Sequence, residues 1–402
     1  MSRFSEEMAR AAQLEQARSP KREHPDGWAP ALELDSATGR GSLVIRSATP
    51  APIWDDLLRE WGLDPALYAI EDDRVQMRTW DAAIGEGKVQ RFYYYKANVH
   101  ARGTNDAADV AALANEIKGK RFKVVTKPAG TGTATMVVVL ADWQIGQRGT
   151  DDAVRRILAL CDEMPARWRE LTKAGVPLDD ILLVGLGDLV EGCEGWYPAQ
   201  PFLVELNERE QRTLVRRLLL KLVEAALTVA PRVRVAAVGG NHGEVRRGGK
   251  AITDASDNGD VEVVEQLAEI VAASEVAPRV SFVIPRDELA LTLDVHGTIV
   301  GITHGHLAKR GAGAANKVEQ WWKGQALGMR PVSDATVLLT GHYHHLSVTE
   351  HGPRTHLQAP ALCGPSAWYT DLTGVGASPS GALSLVIDGN GWDHLRVLPC
   401  RP

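Results

Sequence analysis

The sequence predicts a layered α/β fold built on two sheets, and three observations carry that prediction. From about residue 136 onward, short apolar runs of strand length alternate with longer stretches of helical periodicity. Beyond about residue 345 the apolar runs follow one another with no helix between them, which asks for a second sheet. The apolar runs of the alternating part also end abruptly in Asp, Asn or His beside glycine, and strand ends in such sheets converge on one edge.

The chain has 402 residues, 44% hydrophobic and 24% charged, enough for a large core and more than one folded unit. A formal net charge of −6 gives no whole-chain case for nucleic-acid binding, and leaves local basic loops to decide that question. The cysteines, Cys161, Cys193, Cys363 and Cys400, form no Cys-x-x-Cys pair, so neither a zinc knot nor a disulfide framework is expected. A reduced, cytoplasmic setting follows. No apolar run at the N-terminus has the form of a signal peptide, and no stretch is long enough for a membrane span.

Residues 1–45 are polar and proline-bearing and read as a flexible leader. Residues 46–125 read as a small α+β module. It opens on the amphipathic Pro52-Ile53-Trp54-Asp55-Asp56-Leu57-Leu58, contains the strand-like Phe92-Tyr93-Tyr94-Tyr95-Lys96, and includes a short helix over 106–120. Residues 126–135, rich in Gly, Thr and Pro, read as a linker, and 136–402 as the main domain. In that domain strands are expected at 136–141, 181–186, 233–238, 298–302 and 335–340, and helices at 153–173, 209–230 and 261–273. Leu214, Leu218 and Leu222 recur at near-helical spacing in the second helix. Further strands are expected near 346–350, 355–359 and 382–387.

The first strand runs into Asp142-Trp143-Gln144, the second into Gly187-Asp188, and the third into Gly239-Gly240-Asn241-His242. The fourth ends in His304-Gly305-His306 and the fifth in Gly341-His342-Tyr343-His344-His345. Gly187, Gly240 and Gly341 are expected to permit sharp turns from strand into loop. A single Asp or His at a strand end is ordinary, but six of them in series at strand ends are not coincidence.

This series resembles the calcineurin-like metallophosphoesterase superfamily, whose ordered motifs are Asp-x-His, Gly-Asp, Gly-Asn-His, a His before Gly, and Gly-His-x-His. Within it the chain looks like members encoded by phages and prophages, which are similar to the nuclease subunit of the double-strand-break repair complex. The resemblance implies an αββα sandwich that holds two divalent metal ions. Asp142, Gln144, Asp188 and His344 would hold one; Asp188, Asn241, His304 and His342 would hold the other, with Asp188 bridging. His242 would be the catalytic residue beside the scissile phosphate, without binding metal. Gln144 departs from the pattern, which has His there. An amide oxygen is a neutral, hard donor, so manganese is expected ahead of magnesium, iron or zinc.

The implied function is phosphodiester hydrolysis, with DNA as the leading substrate. The alternatives are a phosphatase or phosphodiesterase on a small molecule or protein, and a DNA-binding assembly component with a weakened centre. For substrate contact the candidates are Trp143, for stacking, and Arg246, Arg247, Lys250, Lys309 and Arg310, for phosphates. Trp196 and Tyr197 lie near the same loops. Homo-oligomerisation and an ATPase partner stay open. His306 and His345 occupy no motif position and read as ordinary histidines. In Asp254-Ala255-Ser256-Asp257-Asn258-Gly259-Asp260 the acids offer an outer shell or a third cation site, and Asp257 or Asn258 offers a helix cap. Trp321-Trp322 suits packing or an oligomer contact.

Overall fold

The structure, a computed structural model, describes most of residues 109–400 apart from 125–131, 194–199, 201–203, 248–249, 286–287, 308–313 and 365–377. Between residues 31 and 101 it describes chiefly five strands. The chain divides into two compact units, Met1–Asp106 and Ala107–Pro402.

The smaller unit is an antiparallel sheet of β1 (Ala31–Asp35), β2 (Arg40–Ser47), β3 (Tyr68–Ile70), β4 (Gln76–Ala83) and β5 (Val89–Ala101). The long β5 pairs with β2 along one side and with β4 and β3 along the other. Its aromatic run alternates as a half-buried strand should: Tyr95 is buried and stacks 6.4 Å from Tyr93 on the same face, while Phe92 stacks on Trp80 of β4. Two expectations change here. Residues 31–35 and 40–47 of the expected leader form strands. The helix expected within the small module, α1 (Val110–Gly119), belongs to the larger unit, whose core takes up Leu113 and Ile117. The amphipathic segment at 52–57 lies outside the described residues.

The larger unit continues with β6 (Ala134–Leu140), α2 (Thr150–Lys173), β7 (Leu178–Gly185), α3 (Glu208–Leu227) and β8 (Arg232–Ala237). A two-residue ribbon, β9 (Arg246–Arg247) with β10 (Lys250–Ala251), precedes α4 (Gly259–Ala272) and the edge strand β11 (Val280–Val283). Then come β12 (Ala290–Val295), β13 (Thr298–Thr303), α5 (Ala314–Leu327) and β14 (Val337–Thr340). The chain closes with β15 (Ser347–His351), β16 (Arg354–Gln358), β17 (Ala382–Asp388) and β18 (Gly391–Leu398). One sheet has the order β11-β8-β7-β6-β17-β18, its first four strands parallel; the other has the order β12-β13-β14-β16-β15, with β13, β14 and β16 parallel.

The layering follows from side-chain alternation. Met136, Val138 and Leu140 of β6 enter the core shared with the helices, while Val137 and Val139 enter the core between the two sheets. Ile181 and Leu183 part from Leu182 and Val184 of β7 in the same way. Burial on both faces is why these strands read as unbroken apolar runs. Trp322 of α5 packs over the outer face of the second sheet with Val332 and Leu338, and its indole N–H donates to the Val332 carbonyl at 2.9 Å. The order is therefore helix, sheet, sheet, helix, the predicted αββα architecture. Asn207 and Glu210 form a reciprocal capping box at the start of α3. Among the described residues no helix is long and apolar enough to cross a membrane.

Candidate metal centre

The carboxyl ends of β6, β7 and β8 in one sheet and of β13 and β14 in the other meet across the sheet seam. Asp142 N–H donates to the Gly187 carbonyl at 3.2 Å, and Gly341 N–H to the His304 carbonyl at 3.0 Å. The His342 N–H donates to the Asp142 carboxylate at 3.0 Å, joining the two sheets. Eight described non-glycine residues have positive φ, and five of them are predicted ligands: Asp142 (51°), Gln144 (45°), Asp188 (52°), His342 (70°) and His344 (57°). A left-handed backbone costs a non-glycine residue on the order of 1–3 kcal/mol, so strain is concentrated where the ligands turn inward.

The glycines serve these turns differently from expectation. Gly187 does adopt φ of +85°, but the need at Gly240 and Gly341 is for space. A Cβ on Gly240 would lie 2.1 Å from Asp188 Oδ1, and one on Gly341 would lie 2.8 Å from Asp142 Oδ2.

Asp188, His304 and His342 place their ligand atoms within 4.8 Å of one another. His304 Nδ1 lies 2.7 Å from the Leu186 carbonyl and must donate to it, leaving Nε2 as the lone-pair nitrogen of a neutral ring. That nitrogen faces Asp188 Oδ2 at 3.0 Å and Asn241 Oδ1 at 3.1 Å. Three electron-rich atoms converge there, and a cation between them resolves the repulsion; the donor set, two oxygens and an imidazole, suits a divalent ion. In the metal-free protein a proton does the same work. Burial works against a charge on His304, yet Asp188 raises its pKa to about 9. Asp188 itself is buried, but His304 and His242 hold its carboxyl well below the usual range. Burial and the neighbouring His304 take His342 down to about 3, leaving it neutral and ready to ligate.

The other half is looser. His344 Nε2 lies 3.3 Å from Asp142 Oδ1, and the Gln144 side-chain amide sits 3.3 Å from His242 Nε2. The predicted ligands and His242 thus come together around one seam.

His242 is held from behind. Its Nδ1 lies 3.0 Å from the Glu191 carbonyl and 3.1 Å from the Glu191 carboxylate, and its N–H donates to Asp188 Oδ1 at 2.8 Å. Burial opposes protonation, but the charges of Glu191 and Asp188 push the His242 pKa to about 10. Glu191 is fully buried and was not singled out from sequence. The available signal was its position three residues after Asp188 in the same loop. Gln211 of α3 fixes that loop, its side-chain oxygen accepting from Glu191 N–H and Gly192 N–H.

The expected substrate contacts fare unevenly. Trp143 is fully buried in the helix-side core, so it cannot stack on a base; the side-chain alternation that carries Asp142 and Gln144 into the site turns it inward. Arg246 pairs with Glu244 and helps line a cavity of about 120 Å3 with His242, Val190, Cys193, Gln211 and Arg212. Lys250 is exposed on the β9–β10 ribbon directly after the His242 loop, and Arg247 lies on its other strand. Lys309, Arg310, Trp196 and Tyr197 lie outside the described residues. His306 is half-buried, its ring 5.3 Å from that of His304 and so beside the centre. A larger cavity of about 430 Å3, near the starts of β7 and β8, holds Asp179, Asp180 and His296, but Arg232 pairs with Asp179 and Arg234 with Asp180.

No family model matches the chain, and no curated protein matches it in sequence. Solved structures do align with it. A Streptococcus pneumoniae protein described as a predicted phosphoesterase is 14% identical over 63% of this chain and 84% of its own, with a TM-score of 0.27. Zinc-bound Vps29 from Entamoeba histolytica is 14% identical over 62% and 84%, with a TM-score of 0.30. An archaeal phosphodiesterase is 13% identical over 65% and 99%, with a TM-score of 0.29. At such scores these likenesses carry no weight on their own, and the functional reading rests on the geometry.

Proposed function

We propose that this chain is a two-metal phosphoesterase that cleaves phosphodiester bonds, with DNA as its substrate. The observation that carries the reading is the convergence of His304 Nε2, Asp188 Oδ2 and Asn241 Oδ1 on one point, with His242 Nε2 4.0 Å from the same Asp188 oxygen. Two divalent cations held by these residues and by Asp142, Gln144, His342 and His344 would supply a hydroxide near neutral pH and positive charge for the phosphate oxygens. The remaining work belongs to the chain. Asp188 stays ionised between the two halves. His242 presents Nε2 toward the centre and gives its proton to the leaving oxygen, while Glu191 fixes Nδ1 and so the ring's direction. Gln144, a neutral oxygen donor, supports manganese as the metal.

The ribbon after His242 supports the choice of DNA. Arg247 and Lys250 sit on paired strands a few residues along the chain from His242, and their charge suits a phosphate backbone. The test is digestion of end-labelled single- and double-stranded DNA in manganese, beside a panel of nucleotides and phosphopeptides. DNA cleavage that disappears in His242→Ala and weakens in Lys250→Ala supports the reading. Turnover of the small phosphoesters alone refutes the DNA assignment, and full activity in His242→Ala refutes the mechanism.

A further inference from the structure

Of the readings open for the acidic segment before α4, the helix cap is seen at Asn258, and Asp260 stands directly behind the metal centre. Asn258 does cap α4, its side-chain oxygen accepting from Asp260 N–H at 2.9 Å. Asp260, in the first turn, is fully buried and turns its carboxylate away from the helix. Its Oδ1 accepts the N–H groups of Leu189 at 2.8 Å and Val190 at 3.1 Å, and its Oδ2 those of Asp188 at 2.8 Å and Gly240 at 2.9 Å. One carboxylate therefore takes four main-chain donors from two separate loops, those that follow β7 and β8. Asn258 Nδ2 donates to the Gly240 carbonyl at 2.8 Å, so Gly240 is gripped on both sides.

We propose that Asp260 is the positioning residue of the metal centre, locking the Asp188 loop to the Asn241–His242 loop so that the bridging carboxylate, the amide ligand and the catalytic ring keep one fixed spacing. The two loops already touch backbone to backbone: a Cβ on Gly187 would lie 2.4 Å from Gly240 N. Nothing covalent holds them together, and neither loop is part of a strand there. Without a shared acceptor, four buried N–H groups lose their partner, and a buried donor left unsatisfied is costly. The loops would then part to reach water, and the separation of Asp188 from Asn241 would widen with them. Asp260 touches no reacting atom; it acts through the ligands it holds.

The proposal concerns the metal centre and so rests on the metal reading above, and its test has two arms. In the first, Mn2+ binding by Asp260→Asn and Asp260→Ala is measured by calorimetry. A fall in affinity of about 10–100-fold is expected, with most of the lost turnover regained at saturating manganese. The second arm is amide hydrogen exchange of the metal-free protein, followed by mass spectrometry across residues 187–191 and 238–242. Exchange there quickens in both variants while the rest of the chain keeps its rate. This arm judges the clamp even if the wild type takes up no manganese, a result that would sink the metal reading alone. Wild-type affinity together with wild-type exchange in a folded Asp260 variant overturns the proposal. Should both variants fail to fold, Asn258→Ala, which frees only one side of Gly240, is read the same way: a several-fold loss of affinity and local quickening support the clamp, and no change in either overturns it.

Discussion

Glu191→Gln is the sharpest probe of the catalytic ring, because it removes one charge and almost no volume. In the wild type, burial pulls the His242 pKa down, yet Glu191 and Asp188 together carry it from 6.5 to about 10. That rise corresponds to roughly 5 kcal/mol favouring the protonated ring. Glu191 is the larger of the two raising charges, so replacing it by an amide should lower the His242 pKa. The measurement is an NMR titration of the His242 ring in the metal-free protein, since bound cations would add their own repulsion. The sign for stability follows. A pKa raised in the folded state gives stability that is full below the unfolded value of 6.5 and is lost as pH rises through about 10. Urea denaturation of the metal-free wild type should weaken across that window, and that of Glu191→Gln much less. A His242 ring in Glu191→Gln that still titrates above about 9 would refute the assignment of Glu191 as the group that keeps it charged.

Other consequences can be checked at the bench. Under the proposed function Asp188→Asn should weaken manganese binding by about 100-fold by calorimetry and abolish turnover, since Asp188 stands with His304 and His342 at the centre. Gly240→Ala should cost about 1–3 kcal/mol in urea denaturation, because the added methyl meets the Asp188 carboxylate. His356 of β16 is buried, which takes its pKa down to about 4, while its Nε2 lies 2.8 Å from the Thr340 hydroxyl. Since the unfolded chain takes up the proton first, stability should fall by about 3 kcal/mol as pH drops from 6.5 toward 4, and His356→Gln should flatten that limb.

What the sequence revealed follows from where each residue's partners lie along the chain. The buried strands were legible because both of their faces are apolar, and the ligands because each stands directly after such a run. Three of the four edge strands of the sandwich were not: β11, β12 and β18 carry mixed, partly exposed faces and gave no run to read, whereas β15 was expected. Glu191 was illegible as a functional group because its work lies in a contact 51 residues away along the chain, and Asp260, read only as one of several acids of an outer shell, was not legible as the acceptor of groups 70–72 residues away. Trp143 shows the opposite error: it stands between two predicted ligands in sequence, yet its side chain turns into the helix-side core. The strands at 31–35 and 40–47 were missed because they fall in a stretch of polar, proline-bearing composition.

Asp142, Asp188 and Asn241 come from one sheet and His304, His342 and His344 from the other. Under the proposed function this makes the cation a further fastener between two layers that otherwise meet through apolar side chains and a few hydrogen bonds, such as that from His342 N–H to Asp142. Neither layer alone presents a complete set of donors, so the ion has negligible affinity for any partly assembled chain. Binding and docking of the layers become a single equilibrium, and a free cation at about 100 times its dissociation constant adds about 2.7 kcal/mol to the assembled form. Chelation would then loosen the seam first, and a cell short of the metal would face a less durable protein as well as an idle one.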